Sequence, residues 1–145
     1  MKKYRFGALL IFCVVLLFFV VFPDYLLLGL IENPYLPLGT ILTWIGFISW
    51  TTFFYFSSLA LFQNPSNSAK RIKRIFQFLL LLSLLWIFIG YGLANNWAMS
   101  FSGSISDFRG SYKASLVYWG FDYFLFFAPI LVFFIYLILK KLKKI

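Results

Sequence analysis

The sequence predicts an all-α integral membrane protein, a four-helix bundle with its N- and C-termini on the cytoplasmic side. Three observations lead there. Of the 145 residues, 63% are hydrophobic and 12% charged, with a mean hydropathy of +0.92. A soluble domain carries about 45–50% apolar and about 25% charged residues. Four apolar runs each approach the roughly 20 residues that a helix needs to cross a hydrocarbon core. The thirteen basic residues fall almost entirely in three clusters, placed before the first run, between the second and third, and after the fourth. None of the runs alternates with period two, so strands of a transmembrane barrel are a poor alternative.

The first run, Phe6–Phe22, is uncharged and stops at Pro23-Asp24. Met1–Arg5 has the basic character of a signal-peptide n-region. The apolar stretch that follows is long, however, and lacks a small-x-small cleavage site. Phe12 is too large to precede a lipoprotein cysteine at position 13. The segment is therefore expected to stay as a span, with Cys13 a buried, inert thiol. Almost nothing polar follows Gly7, so this span is expected to face lipid or a partner.

Residues 23–37 form the first outer loop, where Pro23, Pro34 and Pro37 break helices while Leu26–Ile31 remains oily. This composition reads as a turn lying on the outer leaflet, with Pro34 and Pro37 stiffening the start of the next span. The alternative is a longer, tilted first span ending near Ile31, with Asp24 snorkelling to the surface.

The second span, Leu38–Phe62, carries no charge. Steps of four and three residues align Gly39, Thr43, Gly46, Trp50, Phe53, Ser57 and Ala60, a face suited to helix packing in lipid. The inner link at 63–74 contains Gln63–Ser68, short and polar, in which Ser66, Asn67 or Ser68 can cap the helix continuing through Lys70–Arg74. A link this short sets the second and third spans side by side and antiparallel. The third span, Ile75–Ala94, offers Gln77, Leu80, Ser83, Trp86 and Gly90 on one face. The second outer loop, 95–115, is rich in Ser and Gly and holds Asp107, Arg109 and Lys113. It is too small to be an enzyme but adequate as a docking surface or lid. The fourth span, Leu116–Leu139, aligns Ser115, Tyr118, Asp122, Phe126, Pro129, Phe133 and Tyr136.

Charge supplies the orientation. Lys2, Lys3, Arg5, Lys70, Arg71, Lys73, Arg74, Lys140, Lys141, Lys143 and Lys144 share one side if four spans are counted, leaving only Arg109 and Lys113 opposite. Cations near span ends mark the cytoplasmic face. The net charge of +9 thus reads as a topology signal and a contact with anionic inner-leaflet lipid, worth roughly 1 kcal/mol per cation. Nucleic acid is not an expected partner, because no soluble domain presents a groove.

Asp122 is the one carboxylate inside a span, and an ionisable group there is a functional candidate. It lies two or three residues inside the outer boundary, near the helix start and flanked by Tyr118, Trp119 and Tyr123, a position that also suits an interfacial carboxylate. Three roles are open to it: that interfacial group, an ion pair within or between subunits, or a transport site. Pro129, on the same face, leaves the carbonyl of Leu125 without its helical donor and predicts a kink. The candidate functional or inter-subunit residues are therefore Asp122, Pro129, Tyr118, Arg109 and Asp107.

Histidine is absent, cysteine occurs once, and the acids number four. His/Cys metal sites, catalytic triads and internal disulfides are excluded. No cofactor, metal or catalytic residue is expected. The expected function is a small non-catalytic subunit or accessory component of a larger membrane complex. The alternative is a homo-oligomeric channel, flippase or transporter with Asp122 near its outer mouth. Either would self-associate or join other membrane subunits. Its small size and wealth of Phe, Ile, Lys and Asn point to a bacterial cytoplasmic membrane.

Overall fold

A computed structural model of the chain describes residues 2–58, 66–99, 101 and 108–142. Its main elements are α1 (Lys2–Val21), α2 (Leu38–Ser57), α3 (Asn67–Ala94) and α4 (Tyr112–Lys141). All four are long and apolar enough to cross a membrane, the property expected of an integral membrane protein.

The helix ends follow from local chemistry. α1 stops at Val21 because Pro23 begins a short 3₁₀ helix, Pro23–Leu27, and the longer first span reaching Ile31 does not form. The expected surface turn is more ordered than its composition implied. Residues Gly29–Ile31 (β1) and Leu36–Pro37 (β2) pair antiparallel, Gly29 with Pro37 and Ile31 with Leu36. The Tyr35 hydroxyl donates to the Leu27 carbonyl, and its ring lies over Gly29, where a Cβ would meet ring carbon at 2.8 Å. So short a pair has no alternating pattern to announce it; the ring that fits only a glycine holds it.

The expected second span runs to Phe62, whereas α2 ends at Ser57, and 59–65 lie outside the described residues. The hydroxyls of Ser57 and Ser58 bond back to the carbonyls of Phe53 and Phe54 at 2.7 and 3.1 Å, offering the backbone a competitor to further helix. α3 begins at Asn67 with Ser66 as its cap, the hydroxyl accepting from the Ala69 amide at 3.1 Å. Ser111 caps α4 in the same way through Ala114 at 3.2 Å.

The helices meet through small and hydroxylated faces and present Leu, Ile, Val and Phe outward. Thr40, Thr51 and Ser83 are fully buried, while Leu10, Val14, Leu17, Phe78, Phe88, Leu131 and Phe134 are exposed. That distribution suits a hydrocarbon surround, in which apolar side chains gain nothing by leaving the surface.

α2 touches the other three helices. α1 packs chiefly against it, with Phe12 stacked on Trp50 (ring centroids 4.3 Å) and Val15 over Gly46. α3 runs antiparallel to α2: Thr40 bonds to the carbonyl of Trp97 just beyond α3, Thr51 lies beside Ser83, and Tyr55 meets Phe76. α4 runs parallel to α2, with Trp50 on Phe126 and Phe54 on Phe133. Two buried clusters result, one around Phe54, Phe76 and Tyr136, the other around Trp86, Met99, Tyr118 and Leu125.

Candidate functional site

Five residues stood out in the sequence, and the structure brings three of them onto one face. Tyr118, Asp122 and Pro129 line the side of α4 that meets α2 and α3. The Trp86 indole N–H donates to Asp122 Oδ1 at 2.5 Å, and the Tyr118 hydroxyl, one turn earlier on α4, is also hydrogen-bonded to this carboxylate. Trp86 is fully buried, Tyr118 nearly so, and Asp122 half-buried. Phe47 packs on Trp86, and Phe108 packs on Tyr118. Among the described residues, the partners of Asp122 are two aromatic donors rather than a cation. Chemically this is a latch between α3 and α4, in which a carboxylate accepts charge-assisted hydrogen bonds from groups that cannot swing away.

Pro129 is buried, and α4 continues as helix through it. The Trp50 indole donates to the Phe126 carbonyl at 2.8 Å, one turn before the proline. There the ring removes a helical donor from the neighbouring carbonyl and leaves backbone acceptors open to side chains.

A third indole completes the pattern: Trp44 donates to the Leu84 carbonyl at 3.0 Å. Trp44 joins α2 to α3, Trp50 joins α2 to α4, and Trp86 joins α3 to α4. Each side of the α2–α3–α4 triangle is thus pinned by one indole. Trp50 and Trp86 lie on faces that the stepping pattern picked out, but their role as donors was not visible there, and Trp44 falls on neither face. The available signal is chemical: a tryptophan in mid-span brings an N–H that needs an acceptor.

Arg109 lies elsewhere, and Asp107 is outside the described residues. Arg109 helps to line a cavity of about 580 Å³ at the hairpin end of the molecule, with Glu32 and Tyr35 from the hairpin turn, Tyr91 from α3, and Asn95 and Trp97 following it. Asn95 ends α3 in a left-handed conformation (φ 55°), which asparagine tolerates better than most residues. That turn folds Trp97 back to stack on Tyr91 at 4.3 Å. Nothing in the sequence joins the two outer loops, because Glu32 and Arg109 are far apart along the chain and meet only at this cavity.

Cys13 is exposed on the outward side of α1, contrary to the buried thiol expected. Phe12 and Val15, its near neighbours, take the face toward α2. Among the described residues, no three His, Cys, Asp or Glu side chains gather as a metal site would require.

No family model, curated protein or solved structure matches this chain.

Proposed function

We propose that the protein is a small non-catalytic subunit or accessory component of a larger membrane assembly, with both termini and the three basic clusters on the cytoplasmic side. One observation carries this reading. Asp122, the only carboxylate within a span, bonds to Trp86 and Tyr118 and fastens α3 to α4, and a group so engaged is poorly suited to handing ions or protons along a path. Pro129 supports the same reading, since it sits buried in a packed face beside the Trp50 pin.

The orientation rests on charge. Lys3, Arg5, Lys70 through Arg74 and Lys140 and Lys141 lie at the helix ends opposite the hairpin, and cations collect on the cytoplasmic side of span ends.

The test is purification of the tagged full-length chain in a mild detergent, followed by native mass measurement and identification of every component. A stoichiometric complex with other membrane proteins is expected. A symmetric particle of this chain alone that leaks ions or lipid on reconstitution would overturn the subunit reading in favour of a channel or transporter. Asp122→Asn sharpens the result: the variant is expected to leave complex composition unchanged, because an amide oxygen still accepts from Trp86.

A further inference from the structure

The cavity at the hairpin end has no part in the helix latch. It is built from the turn between β1 and β2, the end of α3 with the residues that follow it, and Arg109. A carboxylate, Glu32, and a guanidinium, Arg109, line the same space, together with Tyr35, Tyr91, Asn95 and Trp97. Among the described residues, neither Glu32 nor Arg109 has a side-chain hydrogen-bond partner. The volume, about 580 Å³, falls within the usual range of about 300–1,000 Å³ for small-molecule sites.

The complementary ligand is a compact zwitterion. A guanidinium matches a phosphate through paired N–H donors. An ammonium suits a carboxylate, and it is also attracted to the faces of tyrosine and tryptophan. Tyr91 and Trp97, stacked on one another, supply such faces.

The surroundings of the cavity say what carries this headgroup. Leu30 and Ile31, immediately before Glu32, are exposed. Below Tyr91 the same face of α3 continues through Phe88, Leu84 and Leu81, all exposed. The polar cavity thus opens onto an apolar track that descends the outside of a membrane-spanning helix, the form of a site for an amphiphile. We propose that this cavity binds the headgroup of a zwitterionic phospholipid of the phosphoethanolamine class. Arg109 takes the phosphate, Glu32 and the aromatic faces take the ammonium, and the acyl chains lie along Phe88, Leu84 and Leu81. The inference requires the helices to stand in a bilayer and is independent of whether the chain belongs to a larger complex.

Competition in a mild detergent tests it. The full-length protein is offered equal amounts of dioleoyl phosphatidylethanolamine and dioleoyl phosphatidylglycerol, and retained lipid is read by native mass spectrometry. The wild type is expected to favour phosphatidylethanolamine about tenfold, as for a hydrogen-bonded charge pair. Glu32→Gln should bring the ratio near one without lowering phosphatidylglycerol retention. Arg109→Gln should reduce both lipids about fivefold or more. Lys113→Gln, a cation outside the cavity lining, should change neither. Helicity and melting temperature, unchanged in each variant because all three side chains are exposed, exclude misfolding. Equal retention of the two lipids by the wild type, or a preference surviving Glu32→Gln, would overturn the proposal. Competition by water-soluble glycerophosphoethanolamine at the lipid's own concentration would overturn the lipid assignment, since the apolar track would then contribute nothing.

Discussion

The α2–α3–α4 triangle and α1 are held by different forces. Each side of the triangle carries an indole hydrogen bond, and its interior holds the Thr51–Ser83 hydroxyl pair and the Asp122 latch. α1 meets α2 through the Phe12–Trp50 stack, the Val15–Gly46 contact and the Tyr4–Phe56 stack, with ring and methyl packing alone at these points. In lipid there is little hydrophobic gain from bringing helices together, so packing and interhelical hydrogen bonds do most of the joining. A donor in hydrocarbon also binds a helix in one rotation and one register, because leaving its acceptor costs several kcal/mol. The rotation and register of the triangle are therefore fixed by directional bonds, whereas α1 is seated on α2 by extensive side-chain packing.

The largest test of that contrast is the latch. Trp86→Phe keeps a ring in place but removes the donor to Asp122, and is expected to cost about 2–3 kcal/mol. Unfolding in mixed detergent, followed by circular dichroism, measures it. Combining Trp86→Phe with Asp122→Leu should recover part of the loss, since the indole and the carboxylate are then removed together and only the Tyr118 hydroxyl loses its acceptor. A double variant as unstable as the single one would show that ring packing, not the hydrogen bond, holds this side.

Gly90→Ala comes next. A Cβ there would lie 2.6 Å from Met99 Sδ and 3.3 Å from Tyr118, within the cluster that encloses the latch. The expected cost is about 1–3 kcal/mol in the same unfolding measurement.

Trp50→Phe separates the two regions directly. It retains a ring for Phe12 and Phe126 to stack upon and deletes only the bond to the Phe126 carbonyl. A loss of about 0.6–1 kcal/mol is expected. Hydrogen exchange should become faster in α4 around Pro129 and stay unchanged in α1. Faster exchange in α1 would mean that the indole, rather than its ring contact, anchors that helix.

The smallest effect is expected at the other face of α2. Gly46→Ala brings a Cβ to 3.3 Å from Val15 Cγ1, a contact that α1 relieves by moving a few tenths of an ångström. Stability should change by less than about 0.5 kcal/mol. A loss as large as that of Gly90→Ala would break the contrast, because α1 would then be as tightly seated as the triangle.

Much of the secondary structure was legible. The stop at Pro23, a cap among Ser66, Asn67 and Ser68, and the starts of α2 and α3 are each written in residues close in sequence; the structure selects Ser66 as the cap. The stepping pattern also found real contact faces: Gly46 and Trp50 meet α1, while Tyr118, Asp122, Pro129 and Tyr136 turn inward on α4. It missed the hairpin, whose strands are too short to show alternation, and the end of α2, where two serines turn their hydroxyls back onto the helix. It placed Asp122 in the last helix but near its start, whereas α4 begins ten residues earlier at Tyr112, beyond the reach of the helix-terminus dipole. It did not find Trp86, which lies on another helix.

Sequence thus determined which segments are long and apolar enough to cross a membrane and where α2 and α3 start, because hydropathy, prolines and caps act within a few residues along the chain. Only the tertiary structure decided which carbonyl each indole reaches, that Asp122 closes a latch, and that Glu32 and Arg109 face one cavity. Helices that are apolar nearly all round carry little rotational information. Their mutual rotation and register, on which every one of those pairings depends, is settled only when the few polar groups find one another across the interfaces.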